Sequence, residues 1–310
     1  MKVLITCPPM LGCIEEFIPL FAAKGIEVDC PEVIQTLSVD ALKSRLPQYD
    51  GWIIGDDPAN ADVLRAGHSG RLRAAVKWGV GVDNVDFMTA ESLGMPISNT
   101  PGMFGAEVAD IAMGYVTGLA RQTFAIDRAV RDGQWIKPAG ISLSGKTVAL
   151  VGFGDIGRQL AKRLLTAEMK VIVYDPELAK ASSLPEMQLA NWPEKLDMAD
   201  FLILTCSLNA QNRHMLNSQT LEMVKKGVRI VNVARGPLID ETSLIKGLIS
   251  GQVCSAALDV FETEPLPLDS PIRQFEQCIF GTHNASNTID AVRRTSYRAI
   301  SLLFEFLGVS

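Results

Sequence analysis

Six residues in the middle of this 310-residue chain, Gly152-Phe153-Gly154-Asp155-Ile156-Gly157, have the spacing of a phosphate cradle. In a strand-to-helix turn the first glycine of G-x-G-x-x-G permits the tight reversal. The second lets the backbone approach a pyrophosphate, and the third lets helix and strand pack closely. The context suits this reading. The apolar run TVALV leads into the turn, and Ile156, Leu160, Ala161, Leu164 and Leu165 form a helical stripe after it. The helix start would offer free N–H groups and partial positive charge to phosphates. The next apolar run, VIVYDP, ends on Asp175, where an acid is expected to meet the adenosine ribose hydroxyls of NAD.

Three further polar groups follow later apolar runs. RIVNVAR delivers Arg235, AALDVFETEP delivers Asp259 and then Glu264, and CIFGTH delivers His283. Ligands of open parallel sheets bind beyond the carboxyl ends of the strands, so these groups are expected at one edge with the dinucleotide. Oxidising an alcohol to a ketone requires hydride transfer to nicotinamide and removal of the hydroxyl proton. Histidine titrates in the right range to take that proton. A carboxylate on the other ring nitrogen would set the tautomer, and the fork of Arg235 suits a substrate carboxylate. Each residue taken singly also has a structural explanation; their coincidence at one edge points to catalysis. The other two histidines, His68 in a polar GHSGR turn and His214 in NRHMLN, follow no strand of the nucleotide unit.

The elements that must hold these groups alternate strand and helix. KVLIT, IEVD, WII, AAVKW and PIS read as strands in the first hundred residues, followed later by TVALV, VIVY, FLILT, RIVNVA, AALDV and CIFGT. IEEFIPLFAAKG is expected to be a helix ending on Gly25, and SVDALKSRL a helix capped by its serine. A long helix is expected over 104–122, with Val108, Ile111, Ala112, Tyr115, Val116 and Leu119 on its apolar face. Such alternation predicts an α/β protein with two doubly wound parallel sheets.

Composition narrows the classes. Hydrophobic residues make up 47% and charged ones 21%, as in folded globular domains. The net charge of -6 argues against nucleic acid or anionic membrane as partner, and no apolar run approaches the ~18 residues of a membrane span. The N-terminal apolar run is too short for a signal peptide, so a cytoplasmic location is expected. The six cysteines lack CxxC spacing and sit mostly in apolar runs, which predicts free thiols and neither structural disulfides nor a zinc site.

With KWGVGVDNVD, NTPG, VGFGDIGR, YDP, NVARGPLID, ALDVFETEPLP and GTHNAS in order along nearly the whole chain, the sequence resembles the D-isomer-specific 2-hydroxyacid dehydrogenases. The resemblance implies a Rossmann NAD-binding domain (101–284) inserted into a flavodoxin-like substrate-binding domain (1–100 plus 285–310). SNTPG and HNASN would serve as hinges of a closing cleft. It assigns the catalytic roles to Arg235, Glu264 and His283, with hydride passing between NAD(H) and a small D-2-hydroxy or 2-keto acid. It implies cofactor contacts from Gly152, Gly154, Asp155, Ile156, Gly157, Asp175, Cys206, Val233, Ala234, Arg235, Asp259, His283, Ala285 and Ser286. Substrate contacts fall on Gly79, Val80, Gly81, Arg235 and His283, with backbone N–H groups around Val80 and Gly81 holding the substrate carboxylate. It also implies a homodimer and no metal. Two departures stand out. Cys206-Ser207 replaces a common Thr-Pro, and Gly55-Asp56-Asp57 replaces the arginine that phosphoglycerate dehydrogenases use for phosphate. Two adjacent carboxylates would repel such a group. The alternative reading is a non-enzymatic NAD(H)-sensing corepressor of the same fold.

Overall fold

Five short strands, β1 (Lys2–Ile5), β2 (Glu27–Asp29), β3 (Gly51–Ile54), β4 (Ala74–Lys77) and β5 (Ile97–Asn99), pair in parallel in the order β2-β1-β3-β4-β5. That is the flavodoxin-like winding. The computed structural model describes residues 1–180 and 186–309. It divides into two units: Met1–Met103 with the chain from Asn287 onward, and Phe104–Ser286. In the first unit β3 and β4 are buried along their whole length, because helices cover both faces of the sheet. Their sequences therefore read as apolar runs rather than as alternation. The closing helix Ile289–Phe306 packs on these two strands, and Trp78 Nε1 donates to Ser296 Oγ at 3.1 Å.

Seven more strands build the second unit: β6 (Thr147–Val151), β7 (Lys170–Tyr174), β8 (Met187–Leu189), β9 (Phe201–Leu204), β10 (Val228–Asn232), β11 (Val253–Leu258) and β12 (Ile279–Phe280). Their order is β12-β11-β10-β9-β6-β7-β8, all parallel. The winding reverses between β6 and β9, so the two connections leave on opposite faces and open a crevice beyond the strand ends. The long helix Gly105–Arg121 packs against the helix Asp155–Thr166, and Arg163 pairs with Asp110 at 2.7 Å. Among the described residues no helix is long and apolar enough to cross a membrane, and all six cysteines are free.

Several local expectations need correction. The helix expected over 14–25 is broken into a 3-10 turn, Ile14–Glu16, and a short helix, Ile18–Ala22. Pro19 lacks the N–H needed to continue a helix begun upstream, so it starts a new one. Ile111 is not on the buried face of the long helix; it is 38% exposed while Val108, Ala112, Tyr115, Val116 and Leu119 are buried. His68 lies in the last turn of a helix, Ala61–Ser69, not in a turn. The edge strand β8 and the helix Thr123–Arg131 are elements beyond those expected from the sequence. Ser38 does cap its helix, accepting from Ala41 N–H at 3.2 Å.

Candidate active site

The glycine turn leaves β6 at the point where the winding reverses. Gly152 sits at φ +92°, and a β-carbon there would lie 2.6 Å from the Cys206 backbone. Nothing lies within 4 Å of where a Gly154 side chain would project, so the backbone there is open to an approaching group. Gly157 is the tightest of the three. A β-carbon on it would stand 2.2 Å from Gly152 O. Thr205 Oγ1 braces the same turn by donating to Val151 O and Gly152 O at 3.1 and 2.9 Å. Gly157→Ala is therefore expected to force strand and helix apart, costing about 1–3 kcal/mol as overpacking does. Thermal melting and NAD titration check this: both stability and NAD affinity should fall, and an unchanged melting temperature would contradict it.

Asp175 follows β7 and reaches back to this turn. Its Oδ2 accepts from Phe153 N–H at 2.6 Å and its Oδ1 from Glu177 N–H at 2.9 Å. Two backbone bonds hold the carboxylate in place while leaving further lone pairs for a diol. Beside it opens a cavity of about 1000 Å³, lined among others by Tyr174, Asp175, Trp192, Cys206 and His214. Burial pushes the Cys206 thiol up to about 11, so it meets a ligand as a neutral group. The dimensions and donors of this edge fit a dinucleotide: an open glycine turn, a helix N-terminus and an anchored acid. Arg158, in the first turn of the helix, stands 5.0 Å over the Phe153 ring, a cation beside the cradle that the motif did not single out.

At the other side of the same sheet edge, His283 Nδ1 bonds to Glu264 Oε2 at 2.8 Å. The Glu264 carboxylate is itself anchored, its Oε1 accepting from Phe261 N–H at 2.8 Å. His283 has a left-handed backbone, φ +55°, held by its N–H donating to Asp259 O at 2.6 Å. A non-glycine residue in that region costs free energy, and the surrounding bonds must over-determine it. Asp259 is only 2% exposed. Its oxygens accept from Ala285 N–H at 2.9 Å and from Tyr115 Oη at 3.3 Å, which ties the end of β11 to the segment carrying His283. Burial, followed by the Asp259 charge, pushes the Tyr115 hydroxyl upward, so it stays a donor. Arg235 follows β10 after a turn that Asn232 shapes: this fully buried side chain donates to Arg235 O at 2.8 Å and accepts from Ala234 N–H at 3.0 Å. Asn232 and Tyr115 were missed by sequence reasoning; a polar residue inside RIVNVAR was the available signal. His214 pairs with Glu262 at 2.5 Å, and Glu262 also accepts from Glu241 N–H, so it tethers a loop two residues before Glu264.

In the first unit the KWGVGVDN loop follows β4. Gly79 N–H donates to Thr100 Oγ1 at 2.8 Å, and Gly79 O accepts from Thr100 N–H at 3.1 Å, which pins the start of the loop to the end of β5. Among the described residues the N–H groups of Val80 and Gly81 have no protein partner. The neighbouring acids also differ from expectation. Asp57 is fully buried and turned inward, accepting from Thr6 Oγ1 and from Leu37 and Gly55 N–H. Asp56 pairs with the buried Lys77 at 2.9 Å. One carboxylate is thus structural and the other is largely neutralised.

The model of the family described as "D-isomer specific 2-hydroxyacid dehydrogenase, NAD binding domain" matches residues 113–285. A hydroxypyruvate reductase of Thermotoga maritima is 35% identical over 279 residues, covering 88% of this chain and 90% of that protein. A glyoxylate reductase of Thermofilum pendens is 34% identical over 259 residues, covering 81% and 76%. Among solved structures, a glyoxylate reductase from Paecilomyes thermophila superposes with a TM-score of 0.82 at 25% identity, over 99% of this chain and 95% of that one.

Proposed function

Because the chain belongs to the D-isomer specific 2-hydroxyacid dehydrogenases, NAD-dependent enzymes that move a hydride between NAD(H) and 2-hydroxy or 2-keto acids, we propose that Arg235, Glu264 and His283 are its catalytic groups. The observation that carries this assignment is the 2.8 Å bond between His283 Nδ1 and an anchored Glu264. With Nδ1 committed to the carboxylate, Nε2 is the atom that exchanges a proton with the substrate oxygen. Bound NAD(H) supplies or takes up the hydride at the carbon bearing that oxygen. During reduction the imidazolium of His283 gives its Nε2 proton to the nascent alkoxide, and Glu264 stabilises the charge before transfer. Oxidation runs the same proton back.

Gly152, Gly154 and Gly157, with the N–H groups of Asp155 and Ile156, would hold the pyrophosphate, and Asp175 the ribose. Cys206 would lie on the adenine side, and Val233, Ala234, Asp259, Ala285 and Ser286 on the nicotinamide side. Arg235 and the N–H groups of Val80 and Gly81 would take the substrate carboxylate. Since Lys77 is committed to Asp56, the loop offers no spare cation for a phosphate ester, which favours small unphosphorylated keto acids. A cytoplasmic homodimer is the proposed setting. The relatives named above are reductases, so the corepressor alternative is not favoured.

NADH oxidation with glyoxylate, pyruvate, hydroxypyruvate and longer 2-keto acids tests the reading; no turnover on any of them would overturn it. With the best substrate, Arg235→Lys keeps the charge but loses the bidentate fork. Its kcat/KM should fall by about 10- to 100-fold, the equivalent of roughly 1.4–2.7 kcal/mol, with NADH affinity unchanged. Parent-like kinetics would remove Arg235 from the mechanism.

A further inference from the structure

At the amino ends of β10 and β11, away from the dinucleotide edge, the second unit holds a partly open cavity of about 130 Å³. Its lining includes Arg128, Arg229, Cys254, Ser255, Glu276 and Cys278. Two polar atoms of these lining residues have no partner. Arg229 Nε and Ser255 Oγ are buried without a hydrogen bond, and Ser255 is only 4% exposed. Among the described residues the Arg229 guanidinium makes no ion pair and stands 5.8 Å over the Phe201 ring. Native proteins leave few buried polar atoms unsatisfied, so each such atom calls for an explanation.

The strand register shows that this convergence is built. The ladder between β10 and β11 pairs Val228 with Val253 and then Arg229 with Ser255, skipping Cys254. That bulge turns Ser255, rather than Cys254, to the face that carries Arg229. The helix Thr123–Arg131 covers the same cavity and brings Arg128, whose Nη2 donates to Glu276 O at 2.6 Å. Two guanidiniums stand against one carboxylate, that of Glu276, an excess of one positive charge. The space is below the roughly 300 Å³ of sites for larger organic ligands, yet far above the ~15 Å³ that one water requires.

We infer that Arg229, Ser255 and Arg128 form a binding site for a phosphate-sized oxyanion, separate from the dinucleotide edge and independent of the catalytic assignment. A guanidinium fork with a hydroxyl donor suits such an anion, and the anion offsets the excess positive charge of the lining.

The test is calorimetric titration of inorganic phosphate into the whole protein saturated with NAD, at ionic strength held constant with chloride. Saturation blocks the glycine cradle, the competing phosphate site. The expected result is one phosphate bound per chain, with affinity reduced at least tenfold in Arg229→Gln and in Arg128→Gln. NAD affinity should be unchanged in both. Arg128 is exposed, so its variant remains informative if Arg229→Gln does not fold. No phosphate binding to the NAD-saturated parent, or equal binding by parent and Arg128→Gln, would overturn the site.

Discussion

Replacing His283 by alanine is expected to slow both directions of hydride transfer by about 10²- to 10⁴-fold, the usual contribution of a positioned acid–base group. The pH profile carries the sharper signature. Reduction needs the imidazolium, so its rate is full below the active-site pKa and fades as pH rises through it. Oxidation needs the neutral ring and fades as pH falls through the same value. Both limbs should vanish from kcat/KM in the alanine variant, because no group remains to titrate between Glu264 and the substrate oxygen. Measuring kcat/KM against pH in each direction, for parent and variant, checks this. A variant with the parent's rate and limbs would show that the His283–Glu264 bond at 2.8 Å is structural only.

A clear preference for NADH over NADPH, at most about a thousandfold, is expected, and Asp175 is its source. The carboxylate is pinned by Phe153 and Glu177 N–H groups, so it cannot swing away to make room for a ribose phosphate. Two like charges about 4 Å apart repel by roughly 4 kcal/mol at an effective dielectric of 20. Solvent screening lowers that figure at this partly exposed site, which makes it an upper bound. The residue after Asp175 is Pro176, which offers no cation to compensate. Asp175→Ser should raise efficiency with NADPH while lowering it with NADH, as the ribose bonds are lost. The observable is the ratio of kcat/KM values for the two cofactors. A parent ratio near one would mean that Asp175 does not face the ribose.

Much of this protein is legible without coordinates, for identifiable reasons. The glycine cradle is largely a local backbone constraint: Gly152 sits at φ +92°, and a β-carbon at Gly157 would collide with Gly152 O in the same turn. Buried parallel strands must be apolar on both faces, so GWII, FLIL and their like announce themselves. Parallel winding then carries Asp175, Arg235, Glu264 and His283 to strand ends.

Other features depend on contacts between residues far apart in the chain. Three acids, Asp259, Glu262 and Glu264, follow β11, and residue types alone leave open which one meets His283. Packing gives Asp259 to Ala285 N–H and Tyr115, and Glu264 to His283. Asp56 and Asp57 look equivalent in sequence, yet one is buried in a network with Thr6 and Leu37 while the other neutralises Lys77. Ile111 obeys the helical period but meets solvent, because the apolar stripe is wider than the surface that covers it. The meeting of Arg229 with Ser255 rests on a one-residue bulge, and register across strands is a tertiary property. Periodicity and turn chemistry act over a few residues and leave a trace in sequence. Hydrogen-bond partners separated by twenty to more than a hundred residues leave none, because any suitably placed donor would have satisfied the same acceptor.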